Sequence, residues 1–300
     1  MDIQVRNFLR YLYLERRYSS KTVEAYGTDL LQFETFLSDY LKLDTIPWKK
    51  VDKRGIRLFL IILQDAAISK RSIARKLATI KSFFKYIARE EIIDQNPSLT
   101  IKIPKFEKKL PAFATLEDID RLMNLPDPDT FEGIRDRAIL ELFYGTGMRL
   151  SELINLKLSD VMLSENLIRL LGKGNKERVI PLGNTAKEVL NRYLSIRAKF
   201  ADQSVDTIFV LKSGKKIYPM AVQRLVKKYL SQSSLTHQQS PHILRHSYAT
   251  HLLNAGANIR VVKDLLGHES LSTTQVYTHL SIDHLKKVYN KAHPGAIKNK

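Results

Sequence analysis

The chain has no cysteine among its 300 residues. That excludes disulfides, a thiol nucleophile and a thiolate-bound zinc. It has no apolar run of about 18 residues, so no membrane span is expected. Its opening residues, MDIQVRNFLRYLYLERR, lack a basic stretch ahead of a long apolar one. No signal peptide is expected, and the location expected is cytoplasmic. HExxH, GxxxxGK[ST] and GxSxG patterns are absent, which argues against a zinc protease, a P-loop nucleotidase and a hydrolase elbow. His242 and His246 stand four apart, a spacing that can hold a metal, but no third clustered carboxylate joins them; neither a metal nor another cofactor is expected. Acidic residues are also scarce, 31 against 49 Lys and Arg, for a formal net charge of +18. The excess is +7 over residues 1–103 and +11 over the remainder, so it is not confined to a tail. A surplus spread in this way favours a polyanionic partner, nucleic acid foremost.

With 44% hydrophobic and 27% charged residues the chain has the composition of a folded protein, and its length suggests about two domains. Residues 1–103 read as four amphipathic helices forming one small all-α domain. Phe8, Leu9, Tyr11, Leu12 and Leu14 make the first stripe. Ser19 or Ser20 caps the second helix, whose stripe runs through Val23, Tyr26, Leu30, Leu31, Phe33, Phe36 and Leu37. The third spans about Lys53 to Ala66 with Ile56, Phe59, Leu60 and Ile62 inward. The fourth starts at Ser69 or Ser72 and carries Arg71, Arg75, Lys76, Lys81 and Lys85. A charged helix face is most often merely solvated. Here acids are nearly absent from Ser69 to Ala88, which favours phosphate contacts. Residues 104–113 hold Pro104, Pro111, Lys105, Lys108 and Lys109, and read as an extended basic linker able to run along a nucleic-acid backbone.

Residues 114–300 read as a second, α+β domain. Thr115 is followed three residues later by Asp118, where a capping box prefers Glu or Gln. A helix from about Thr130 to Tyr144 ends at YGTGMRLSELINL, where Arg149 enters the first turn of the next helix and Ser151 and Glu152 help it start. NLIRLLGKGNKERVIPL, residues 166–182, is a β-hairpin signal with Lys173 at its turn. A turn lysine is usually only solvated. Helices follow at about Asn184 to Phe200 and Pro219 to Ser231. All 8 histidines then fall between His237 and His293, so side chains that titrate near neutral pH crowd one end of the chain. His242 and Arg245 share a helix face. Leu252, Leu253, Ile259, Val262, Leu265 and Leu266 read as core. Gly267 ends a helix just before His268. Ser272 to Gln275 forms a capping box that places Tyr277 in the second turn of a further helix, and residues 281–300 hold an amphipathic tail helix.

One reaction fits these groups together. A phosphodiester undergoing transesterification gains negative charge on its non-bridging oxygens, which Arg149 and Arg245 can bind through paired N–H donors. A histidine adds a third donor. The leaving sugar oxygen needs a proton, which a lysine or a histidine can give. A tyrosine nucleophile would conserve the phosphodiester bond energy as a covalent intermediate.

YSSKTVEAYGTDLLQF, YGTGMRLSELINL, GKGNKERVIPL, HILRHSYATHLL and LLGHESLSTTQVYTH, in this order and over nearly the whole chain, resemble the motifs of the tyrosine recombinases, and among them the Xer type. The resemblance implies a mainly α protein with an N-terminal four-helix, SAM-like core-binding domain. It also implies an α+β catalytic domain with a small antiparallel sheet. It implies Tyr277 as the nucleophile forming a 3′-phosphotyrosyl link, Arg149, Arg245 and His268 as phosphate binders, Lys173 as the acid to the 5′ oxygen, and His242 as an assistant in acid/base transfer or an orienter of the phosphate. It implies no cofactor. Its implied partners are double-stranded DNA carrying a dif-like site, three further recombinase subunits of the same or a second Xer type, and a septal DNA translocase. A phage or mobile-element integrase is the neighbouring alternative; such proteins often add an N-terminal arm-binding domain, whereas this chain opens on core-binding helices. An inactive DNA-binding accessory protein is the alternative of another class, against which the full set of six residues argues.

Overall fold

The computed structural model describes residues 1–102, 113–172, 177–233 and 240–267. Lys105, Lys108, Lys173, His268, Tyr277, the cap at Ser272–Gln275 and the tail helix lie outside them. The chain divides into two compact units, Met1–Lys109 and Leu110–Lys300. Among the described residues no helix is long and apolar enough to cross a membrane.

The first unit holds α1 (Ile3–Leu14), α2 (Ser20–Leu41), α3 (Lys53–Asp65) and α4 (Lys70–Arg89). Each starts at a side-chain cap: Asp2, Ser19, Asp52 and Ser69 accept from backbone N–H groups of the turn that follows. Phe8, Leu30, Phe33, Ile56, Leu77, Phe83 and Phe84 form the centre of its core. Trp48 meets Phe83 edge-on at 4.7 Å, and its indole N–H donates to Asp2 at 2.9 Å, so the same carboxylate that caps α1 also fixes the α2–α3 connection. Three residues read as inward are exposed instead: Leu14 at 55%, Leu31 at 45% and Ile62 at 45%. A helix advances about 100° per residue, so Leu14 falls opposite the buried Val5, Phe8 and Leu12, and Leu31 and Ile62 fall at the edges of their stripes.

The basic face of α4 is narrower than the sequence suggests. Arg71, Arg75 and Lys85 are exposed. Lys81 is half-buried, with its ammonium 3.4 Å from the Leu99 carbonyl. Lys76 is buried and does not belong to that face. One residue past Arg75, it turns about 100° round the helix and meets α2. There its ammonium donates to Asp29, itself fully buried, at 2.9 Å. Arg75 and Thr79 bond the same carboxylate. The acid missing from α4 is therefore supplied by α2, and Lys76 neutralises a core charge.

The second unit runs α5 (Leu116–Met123), α6 (Phe131–Thr146), α7 (Leu150–Asn155), β1 (Val161–Met162), β2 (Leu167–Leu171), β3 (Glu177–Pro181), α8 (Asn184–Arg197), α9 (Pro219–Gln232), α10 (Pro241–Asn254) and α11 (Ile259–Leu266). The hairpin gains a short third strand, and the antiparallel order is β1-β2-β3. The cap of α5 is complete: Thr115 accepts from Asp118 N–H, and the shorter Asp118 side chain still reaches Thr115 N–H at 3.0 Å. Helix α6 is buried on nearly every side and forms the centre of the unit. Leu253 and Ile259, read as core, are exposed at 40% and 56%. They flank the α10–α11 turn, whose core contacts come from Leu252, Val261, Val262, Leu265 and Leu266.

Candidate active site

Helix α6 ends at Gly147, whose φ of +60° is the left-handed conformation that a glycine adopts without strain. Space demands glycine as well: a Cβ there would lie 2.6 Å from the Tyr248 ring and 2.9 Å from Leu266. This close approach brings the Gly147 carbonyl to α10, where it accepts from the Arg245 guanidinium. Two residues on, Arg149 is the cap of α7. Glu152 closes the turn, accepting from Arg149 N–H at 2.7 Å and from its guanidinium at 2.9 Å.

Helix α11 ends in the same way, at Gly267 with φ +63°. Its last carbonyls have no partner within the helix. Three arginines supply them. Arg178 donates Nε to Leu265 O at 3.2 Å, Arg245 donates Nη2 to Leu266 O at 2.6 Å, and Arg149 donates Nη2 to Gly267 O at 2.7 Å. Cations at a helix C-terminus also meet the negative end of its dipole. The three come from β3, α10 and the start of α7, and they converge on consecutive carbonyls. Gly267 is the last described residue before His268.

Among the described residues a single carboxylate balances them. Glu152 is buried and bonds Arg178 through both oxygens, at 2.7 and 2.8 Å. Desolvation by itself would raise the Glu152 pKa. The Arg178 and Arg149 contacts outweigh it and hold the carboxyl below the usual range, so it is ionised at neutral pH. Burial, and then the neighbouring charge of Arg149, pull Arg245 down to about 10, which still leaves it cationic at neutral pH. Among the described residues, three guanidinium groups against one carboxylate leave two positive charges in a half-desolvated cluster, a strong attractor for a phosphate and its transition state.

Arg149, His242 and Arg245 line one cleft of about 360 Å³ together with Met220, Arg224 and Lys227 of α9. Helix α10 begins in it, with Pro241 in its first turn and His242 next. That positive helix end adds to the attraction for an anion. His242 is exposed and so can meet a ligand. The structure thus brings together three of the six residues singled out by sequence. Lys173, His268 and Tyr277 lie outside the described residues.

Two residues matter more than the sequence reading allowed. Glu152 was read only as a helix starter, and Arg178 only as a hairpin position. A signal for Arg178 was present. Arg178, Ile180 and Leu182 alternate, so the arginine falls on the core face of β3 beside two apolar residues, and a charge there requires a buried partner.

Comparison with known proteins shows the family and the fold. The model of the phage integrase family matches residues 113–284, and that of the phage integrase N-terminal SAM-like domain matches residues 5–91. A tyrosine recombinase XerC of Syntrophus aciditrophicus (strain SB) is 43% identical over 99% of both chains. A tyrosine recombinase XerD of Staphylococcus saprophyticus is 39% identical, over 99% of this chain and all of its own. In fold, the chain is similar to an XerH site-specific recombinase solved in a post-cleavage complex with its palindromic difH substrate. The TM-score is 0.70 and the identity 22%, covering 94% of this chain and 83% of the other.

Proposed function

The chain belongs to the phage integrase family, as a site-specific tyrosine recombinase, and we propose that it cuts and rejoins DNA through Tyr277 at the arginine cluster of α7, β3 and α10. The observation that carries this reading is the pair Arg149 and Arg245, held by backbone carbonyls at 2.7 and 2.6 Å beside a cleft that His242 also lines. Guanidinium groups fixed before a phosphate arrives need little reorganisation as charge develops on it. In the proposed cycle the Tyr277 oxygen attacks the scissile phosphorus and the bond to the 5′ oxygen breaks. Lys173 gives that oxygen its proton, with His242 orienting or assisting. Arg149, Arg245 and His268 bind the non-bridging oxygens. A 5′-hydroxyl of a partner strand then attacks the phosphotyrosine and restores the DNA.

The proposed substrate is double-stranded DNA with a dif-like site. Four subunits, of one or two Xer types, would exchange strands in pairs through a Holliday junction and resolve chromosome dimers in the cytoplasm, with a septal translocase as activator. The curated relatives named XerC and XerD, matched over almost their full length, support this reading. Its test is trapping of covalent protein–DNA adduct on a nicked duplex with a candidate dif-like site, with and without a partner recombinase. An adduct confined to that site is expected; none under either condition would refute the proposal.

Lys173→Ala is expected to slow adduct formation about 100-fold, the usual scale of general acid catalysis. Near-normal rates should return when sulfur replaces the bridging 5′ oxygen, because a thiolate leaves without a proton. Failure of that substrate to restore the rate would move the acid role, to His242 in the first place.

The α4 face makes a separate expectation. Arg71→Ala and Lys85→Ala should each weaken DNA binding and reduce the slope of log affinity against log salt by about 1. Lys76→Met should leave that slope unchanged and lower the melting temperature, since Lys76 faces Asp29. A salt slope that falls for Lys76→Met and not for the other two would invert the assignment.

A further inference from the structure

We infer that Arg178 is a positioning residue for strand cleavage, acting through Glu152 and the end of α11; this rests on the functional reading above. Its side chain is only 5% exposed, so it is not a group that DNA reaches. All three of its nitrogens are used. Nη1 and Nη2 hold the two oxygens of Glu152 at 2.7 and 2.8 Å, and Nε holds Leu265 O at 3.2 Å. Gly267 permits the approach, because a Cβ at that position would stand 3.1 Å from Arg178 Nη1.

The consequence for Arg149 follows from the sharing of Glu152. Each carboxylate oxygen accepts once from Arg178 and once from Arg149: Oε1 from the Arg149 guanidinium, Oε2 from its backbone N–H. With Arg178 in place, Glu152 can take only one nitrogen of the Arg149 guanidinium. Without it, the carboxylate is free to turn and bind that guanidinium with both oxygens, the pairing that arginine and carboxylate prefer. Arg149 would then be drawn away from a phosphate in the cleft. The same loss would release Leu265 O, one of the three carbonyls that seat α11 ahead of His268.

Arg178 also stands on β3, paired with β2, and Lys173 lies between these two strands in sequence. One buried fork therefore joins three pieces of the reaction: the hairpin of the proposed acid, the cap of Arg149, and the helix that leads to His268 and Tyr277. A purely structural role would not require this. A buried ion pair can often be exchanged for well-packed apolar side chains without loss of stability, whereas the fork directed at both Glu152 and α11 cannot be reproduced by an apolar group or by a lysine.

The experiment uses the full-length chain as wild type, Arg178→Lys and Arg178→Met, and follows single-turnover adduct formation on the nicked duplex at saturating DNA. Lysine keeps a charge beside Glu152, but its donors radiate from one nitrogen, so it does not reproduce the fork that holds both Glu152 oxygens and Leu265 O from three nitrogens. Expected for Arg178→Lys is DNA affinity within about twofold of wild type, undiminished burst amplitude, and a rate constant about 10- to 100-fold lower. The 5′-sulfur duplex should show the same deficit, because leaving-group protonation is not the only step affected. A residue that merely stabilises the fold would lower the amplitude, the active fraction, and leave the rate constant alone. A wild-type rate constant in Arg178→Lys, at any amplitude, overturns the inference even if Arg178→Met does not fold. Absence of adduct with the wild-type chain overturns the functional reading, and this inference with it.

Discussion

A Tyr277→Phe chain is expected to bind its DNA site with unchanged affinity and to form no covalent adduct on the nicked duplex, a loss of about 10⁴-fold or more in cleavage. Phenylalanine keeps the ring and removes only the oxygen that would be bonded to phosphorus. The chain offers no thiol in its place, since it has no cysteine. Mass spectrometry of wild-type adduct digested to a peptide–nucleotide should place the DNA on the peptide containing Tyr277. A covalent band of normal intensity in Tyr277→Phe would end that assignment and direct attention to another nucleophile near the cleft.

Arg245→Met should lower single-turnover cleavage about 1,000-fold, the scale observed when one donor to a developing oxyanion is removed. DNA affinity should change little, because one phosphate contact among many is lost. Arg245→Lys should recover only part of the rate. Arg245 is aimed by two backbone carbonyls, Gly147 O and Leu266 O, one at each terminal nitrogen. A lysine can meet one of them and then has no fixed direction toward the phosphate. Equal rates for Arg245→Lys and wild type would mean that bulk positive charge suffices and that the two carbonyls do not aim the side chain.

The helices were legible because each has its own local cause. Ser19, Asp52, Ser69 and Thr130 cap where such residues usually cap, and the apolar spacing marks the inward face. The errors at Leu31 and Ile62 have one origin: spacing identifies a stripe but not its width, which depends on how far the neighbouring helix reaches; Leu14 instead stands on the face opposite Val5, Phe8 and Leu12. Lys76 failed for a related reason. Its partner Asp29 lies on another helix, and no local pattern connects two positions so far apart in the chain.

Sequence by itself determined the chemistry: arginines, histidines and a tyrosine in motifs that imply phosphoryl transfer, on a basic chain without thiols. It also determined where the glycines stand. Only the tertiary structure decided what those glycines do and how the arginines are held. Gly147 ends α6 where a Cβ would strike Tyr248 and Leu266, and Gly267 ends α11 where a Cβ would crowd the Arg178 side chain at 3.1 Å. Arg149, Arg178 and Arg245, on three separate elements, meet the carbonyls that close α11. Hydrogen-bond partners of this kind are backbone oxygens, identical in every residue, so the side-chain sequence carries no mark of them. Glu152 and Arg178 acquire their importance in the same way, from a buried charge balance that exists only once α7, β3, α10 and α11 have been packed together.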